Sequence, residues 1–202
     1  WRERTQAPPA FPTDRNLKRF LITTPLEETW NKNVPVLFLG EWCLIYPRKP
    51  SDLGFDAEVM PYHWNDRSRL FEDYKFLCAS YEVLLEKLSR KLNELHNVDP
   101  STRYWRILVG PWLGLFMLLV FDRWSSVRQA VENYDLSGSI VLTGGEDRFI
   151  PNDMHEFGSL FPDDEWNHHI YAQILTHFPS VPLYRRQRAE PANLGKSGPS
   201  FN

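Results

Sequence analysis

Four short apolar runs punctuate the chain: RFLITT (Arg19–Thr24), VPVLFLG (Val34–Gly40), AEVMPYHW (Ala57–Trp64) and GSIVLTGG (Gly138–Gly145). Each is rich in Val, Ile, Leu or Phe without strict alternation, the pattern of a strand buried on both faces. Between the third and fourth runs the period changes. Leu70, Tyr74, Leu77, Tyr81, Leu84, Leu88, Leu92 and Leu95 recur at steps of three and four, and Glu72, Lys75, Glu82, Glu86, Arg90 and Glu94 take the other faces. The spacing predicts an amphipathic helix over about residues 66–97, capped by Asn65 or Asp66. The stripe lasts under four heptads before NVDPST (Asn97–Thr102) breaks it, so packing within the same domain is expected rather than a coiled coil. Ser101 or Thr102 caps the helix that follows.

That next segment raises the question of a membrane. Its uninterrupted apolar part runs fifteen residues, Ile107 to Phe121, between Arg103 and Arg106 at one end and Asp122 and Arg123 at the other. A bilayer span needs roughly 20 residues, so a buried helix is expected. Gly110-Pro111 interrupts it, because proline lacks the amide donor and crowds the preceding turn. The pattern therefore reads as a short helix, a break, and a second helix through Tyr134. Asp163–Trp166 (DDEW) reads as an acidic helix start, which complements the helix dipole.

Strands alternating with helices imply an α/β fold: a Rossmann-like, mostly parallel sheet with a long amphipathic helix and a helical insert. The sequence divides into an extended proline-rich segment (1–17), the α/β domain (18–184) and a disordered Gly/Pro/Ser/Arg-rich tail (185–202). The 202 residues are 42% hydrophobic and 14% aromatic, ample for one core. A net charge of -3 and a pI near 6.1 argue against a general nucleic-acid binder. The N-terminus shows no apolar signal-peptide core. Cys43 and Cys78 form neither a metal spacing nor a disulfide framework and read as reduced cytosolic thiols. No dinucleotide GxGxxG, phosphate-binding GxxxxGK[ST] or hydrolase GxSxG motif is present. His168 and His169 are adjacent, so on a helix they diverge by about 100° and do not converge on a metal. No metal and no cofactor are expected.

In open parallel sheets ligands bind outside the carboxyl ends of the strands. The polar residues after each run are therefore the informative ones: Thr23, Thr24, Glu27 and Glu28; Gly40, Glu41 and Trp42; His63, Asn65, Asp66 and Arg67; Gly144, Gly145, Glu146 and Asp147. Carboxylates beside indoles suit a polyhydroxylated ligand, since carboxylates accept from hydroxyls and indole faces cover the apolar faces of sugars.

The strings FLITTPLEETW, PVLFLGEWCLIY, YHWNDR, RYWRILVGPWLG, FDRW, IPNDM and DEWNH resemble the N-terminal part of a family of bacterial transferases associated with O-antigen and other surface-polysaccharide clusters. The resemblance covers about Phe20 to Leu175. It implies a two-domain glycosyltransferase of the GT-B kind, related to enzymes that transfer acidic eight-carbon sugars such as Kdo. This chain would then hold the glycan acceptor, and a second domain most of the nucleotide-sugar site. The implied partners are a glycan acceptor and a nucleotide-sugar donor, with no nucleic acid. The implied place is the cytoplasm, free or peripheral to the inner membrane.

Inverting transfer needs a general base within reach of the acceptor hydroxyl. Glu41 is the first candidate, exposed at a strand end yet flanked by bulk; His63 and Asp66 follow. Thr24, Glu27, Glu28, Trp42, Arg67 and Arg106 are the expected substrate-binding residues. Arg67, Arg106 and Arg123 are the candidate anion ligands, Arg106 and Arg123 having Asp122 or Glu132 as alternative partners. Of Trp42, Trp64, Trp105 and Trp112, one is expected as a sugar platform and the others as core. The rival readings are a non-catalytic binding or assembly module using the long helix as its contact surface, and a sulfuryl or acyl transferase acting on glycans.

Overall fold

The computed structural model describes residues 17–45 and 48–188. Each of the four apolar runs overlaps a strand. β1 (Arg19–Ile22), β2 (Val36–Phe38) and β3 (Ala57–Val59) are shorter than their runs, while β4 (Leu136–Thr143) begins two residues before its own. A fifth, β5 (Leu183–Gln187), lies beyond them. The five form one parallel sheet in the order β3-β2-β1-β4-β5. The chain steps outward one way from β1 to β3, then crosses back to β4 and β5. The strand order therefore switches between β1 and β4, as in Rossmann-like folds. The connections β1–β2 and β2–β3 are loops with 3-10 turns rather than helices.

Phe20, Leu21, Ile22, Val36, Leu37 and Phe38 are almost fully buried, as expected of central strands with both faces covered. Two helices pack on them: α3 (Gly110–Asn133), through Val127 and Ala130, and α5 (Asp164–Leu175), through Tyr171, Ile174 and Leu175. A smaller aromatic core of Phe149, Phe157 and Trp166 gathers α4 (Met154–Leu160), α5 and the first half of α3.

The predicted long helix is α1 (Arg67–His96), about 45 Å at 1.5 Å per residue. Asp66, not Asn65, caps it, its carboxylate accepting from the Ser68 and Arg69 amides. Asn97 ends it in the left-handed region (φ 51°), where asparagine is tolerated. The expected apolar stripe is only half covered. Leu70, Leu77, Tyr81, Leu88 and Leu92 are half-buried, while Tyr74, Leu84 and Leu95 are exposed. The reason is that α1 packs on α2 (Thr102–Leu108) and α3 rather than on the sheet, so only a narrow seam is sheltered.

The break at Gly110-Pro111 falls where the sequence places it. The axes of α2 and α3 meet at 68°, and Pro111 sits in the first turn of α3, where its missing amide costs nothing. The fifteen-residue apolar run is less buried than expected: Leu113 is buried, but Ile107, Leu108 and Leu118 face solvent. Among the described residues no single helix is long and apolar enough to cross a membrane; α2 and α3 reach that length only as a bent pair.

The domain boundary expected at residue 184 moves outward. Residues 185–187 belong to β5, an edge strand whose side chains are largely exposed, held by backbone pairing to β4 from Ser139↔Leu183 to Thr143↔Gln187. An exposed edge strand carries no apolar run, so the sequence pattern passes over it. The expected N-terminal extended segment, up to residue 16, and the tail from residue 189 lie outside the described residues.

Candidate active site

Three of the four polar clusters after the strands meet in one cavity of about 800 Å³ at the carboxyl edge of the sheet. Thr24 comes from the end of β1, Glu41 and Trp42 from the turn after β2, and Tyr62 and Asn65 from the segment after β3. The helices furnish the rest of the wall: Asp122 and Arg123 on α3, and Asp164, Asn167 and Tyr171 on α5.

The turn after β2 is built around its glycine. A Cβ on Gly40 would lie 2.1 Å from the Trp42 ring, so only glycine lets the indole fold over the backbone there. Trp42 Nε1 donates to the Thr23 carbonyl at 3.1 Å, and the ring meets Tyr62 edge-on, 6.0 Å between centroids. The indole is therefore fixed while 37% of the residue stays exposed. Glu41 beside it is exposed; its backbone carbonyl accepts from the Leu44 amide, and its carboxylate has no partner among the described residues. Cys43 closes the turn, its thiol donating to the Ile22 carbonyl; burial pushes that thiol up to about 12, which leaves it protonated and unreactive.

Asp122 is the hub of the polar wall. Tyr62 Oη donates to its Oδ1 at 2.6 Å; burial, and then this carboxylate, push the phenol upward, so it stays a donor. His63 Nε2 is 3.1 Å from the same oxygen. A carboxylate only accepts, so Nε2 carries the proton. Arg123 Nη1 reaches the other oxygen, Oδ2, at 3.2 Å. Arg123 Nε and Nη2 donate to Asn167 Oδ1 at 3.0 and 2.7 Å, and Asn167 donates onward to the Phe161 and Asp163 carbonyls. This chain of bonds ties α3 to α5. Asp164 opens α5 behind its cap Asp163; burial, and then the charge of Asp163, push its carboxyl upward. Thr24 Oγ1 is buried and without a partner among the described residues.

The expected site residues divide. Thr24, Glu41 and Trp42 line the cavity. His63 does not: its side chain is fully buried behind Asp122, between the rings of Tyr62 and Trp64. Asp66 caps α1, and Arg67 is the exposed first residue of that helix. Arg106 forms a two-pronged pair with Glu82 of α1, at 2.8 and 2.5 Å, outside the cavity wall. Glu27 pairs with Lys32 and Arg48, which hold its carboxyl below the usual range. Glu28 is exposed; its backbone carbonyl takes a bond from Arg186. Of the three candidate anion-binding arginines, only Arg123 lines the cavity, and of the four tryptophans only Trp42 does. Trp64 and Trp105 donate instead to Asp73 and Asn93, and Trp112 packs in the aromatic core.

The fourth polar cluster folds on itself. Glu146 accepts from the Gly144 amide at 2.7 Å, and Arg188 ties the same loop through the Gly144 carbonyl and Glu165. His168 is core: its Nε2 accepts the Leu142 amide at 3.0 Å. Among the described residues no group of three or more His, Cys, Asp or Glu converges as for a metal.

The sequence clusters omit Asp122, Asp164, Asn167 and Tyr171. The signal was present in two places. FDRW sets a charged pair at the end of an apolar helix run, and Asp164, Asn167 and Tyr171 follow at steps of three and four on one face of α5.

Comparison with curated proteins gives no match, and comparison with solved structures gives none. A family model described as LIC12162 family transferase matches residues 19–199, nearly all of the sheet domain and its cavity. By that match, the chain belongs to the LIC12162 family of transferases.

Proposed function

We propose that the cavity holds the acceptor of a glycosyltransferase that builds bacterial surface polysaccharide. One observation carries this reading. At the carboxyl edge of the sheet an unpartnered carboxylate, Glu41, stands beside a fixed, partly exposed indole, Trp42, with the Asn65 amide and the Thr24 hydroxyl in the same wall. The indole covers the apolar face of a sugar, and the polar groups bond its hydroxyls.

On this reading the reaction is inverting transfer. The acceptor hydroxyl oxygen attacks the anomeric carbon of a nucleotide-activated sugar. Glu41 takes the hydroxyl proton, and the bond from that carbon to the phosphate oxygen breaks, its electron pair leaving with the nucleotide. Glu41 suits the base role because no described residue occupies its oxygens; both oxygens of Asp122 already accept from Tyr62, His63 and Arg123. Asp164 is the second candidate, its carboxyl raised by burial toward the range useful for proton transfer. His63 acts through Asp122 as a positioning residue. The nucleotide-sugar is held by a second domain.

The test is transfer of a radiolabelled sugar from UDP- and CMP-linked donors to surface glycan by the full-length protein, wild type against Glu41→Gln. Glutamine keeps shape and removes the basic site. The expected result is a rate lower by roughly 10²- to 10⁴-fold with an unchanged melting temperature. A Glu41→Gln protein with the wild-type rate removes Glu41 from the mechanism. Absence of transfer by the wild type from every donor refutes the glycosyltransferase reading.

A further inference from the structure

The charge of the cavity bears on which acceptor it takes, granted the acceptor reading above. Among the described residues its charged wall groups are three carboxylates, Glu41, Asp122 and Asp164, and one guanidinium, Arg123. The protein itself engages that guanidinium. Nε and Nη2 donate to Asn167 Oδ1, and Nη1 to Asp122 Oδ2 at 3.2 Å and to the Leu119 carbonyl at 3.5 Å. Of five N–H donors this leaves one. Arg123 offsets Asp122, while Glu41 and Asp164 have no cationic partner among the described residues.

The N-terminus of α5 would oppose this field with its partial positive charge. Asp163 has already answered it: its carboxylate accepts from the Glu165 and Trp166 amides at 3.0 and 2.9 Å. Apolar walls focus what remains. Thr24 Oγ1, buried and unpartnered, offers a neutral contact that suits a hydroxyl.

We infer that the acceptor sugar in this cavity bears no acidic group: Glu41 and Asp164 admit neutral or amine-bearing saccharides and exclude those carrying carboxylate or phosphate. Selectivity of this kind comes from a repulsive element as much as from attractive contacts.

Three tetrasaccharides test it by isothermal titration against the chain: maltotetraose (neutral), chitosan tetraose (amine) and tetragalacturonic acid (carboxylate). Maltotetraose or chitosan tetraose should bind at least about tenfold more tightly than tetragalacturonic acid, about 1.4 kcal/mol. In the isosteric double variant Glu41→Gln/Asp164→Asn that preference should shrink to under about threefold. The single variant Glu41→Gln, at an exposed position, serves if the double variant does not fold. Tetragalacturonic acid binding as tightly as the others overturns the selectivity while leaving an acceptor cavity. An unaltered preference in the folded variants overturns the assignment to these two carboxylates. Binding of none of the three overturns the acceptor reading, and the selectivity with it.

Discussion

His63→Leu should lower stability while His63→Gln should not, because His63 contributes chiefly a hydrogen bond. Its ring is fully buried, and Nε2 meets Asp122 Oδ1 at 3.1 Å. Leucine fills similar space without a donor. The glutamine amide reaches close to where Nε2 stood and can donate to the same oxygen. A hydrogen bond to a charged group contributes about 1.5–3 kcal/mol. Tyr62 and Arg123 still serve Asp122 in the leucine variant, and 16% of the Asp122 side chain is exposed. The loss therefore belongs in the lower half of that range, about 2 kcal/mol. For a chain of this size each kcal/mol moves the Tm by about 2–4 °C, so the leucine variant should melt about 4–8 °C lower. Differential scanning calorimetry on the two variants and wild type measures it. In the transfer assay the leucine variant should also raise KM for acceptor more than it lowers kcat, since Asp122 stands in the cavity wall. Glutamine should restore both. A leucine variant melting within about 1 °C of wild type, with its KM unchanged, would show that Asp122 needs no support from His63.

Three further outcomes follow from the geometry. Gly40→Ala drives a methyl into the Trp42 ring, so it should cost about 1–3 kcal/mol and shift the tryptophan emission; an unperturbed spectrum with wild-type stability would contradict the packing. Asp66→Ala removes the cap of α1 and should cost about 0.5–2 kcal/mol in denaturant melts while leaving turnover intact, whereas a large loss of rate at normal stability would return Asp66 to the catalytic set. His168, buried and lowered to about 4 by that burial and then by Arg188 and His169, should make the fold acid-sensitive. The unfolded chain binds the proton near pH 6.5 and the folded one only near 4, so the contribution of this histidine to stability should fall through that window by about 3 kcal/mol. Urea melts at stepped pH should show a shallower fall for His168→Gln, and identical profiles would refute the assignment.

The parts legible in the sequence were those where one pattern determines one environment. Central strands such as Val36–Phe38 are buried on both faces and so read as unbroken apolar runs. The break at Gly110-Pro111 was legible because proline's geometry is local. β5 was not, because an edge strand is held by backbone bonds that any side chain permits. The exposed half of the α1 stripe was not legible either. Periodicity reveals an apolar face but not how many neighbours cover it, and Tyr74, Leu84 and Leu95 lie beyond the seam made with α2 and α3.

The candidate site shows the same division more sharply. The rule that ligands bind past the carboxyl ends of parallel strands located Thr24, Glu41 and Trp42, because those residues need only follow their strands. Asp122, Arg123, Asp164 and Asn167 enter the same wall from helices that are far from those strands in sequence. Their convergence depends on the crossing of α3 and α5 over the sheet, and a linear pattern does not encode it. The same crossing explains why His63, which follows β3 as the rule requires, misses the cavity. Asp122 of α3 stands in the wall, with the imidazole behind it donating to the carboxylate. The strand-end rule thus finds the edge at which the cavity lies. The tertiary contacts between helices decide which strand-end residues line the cavity and which support those that do.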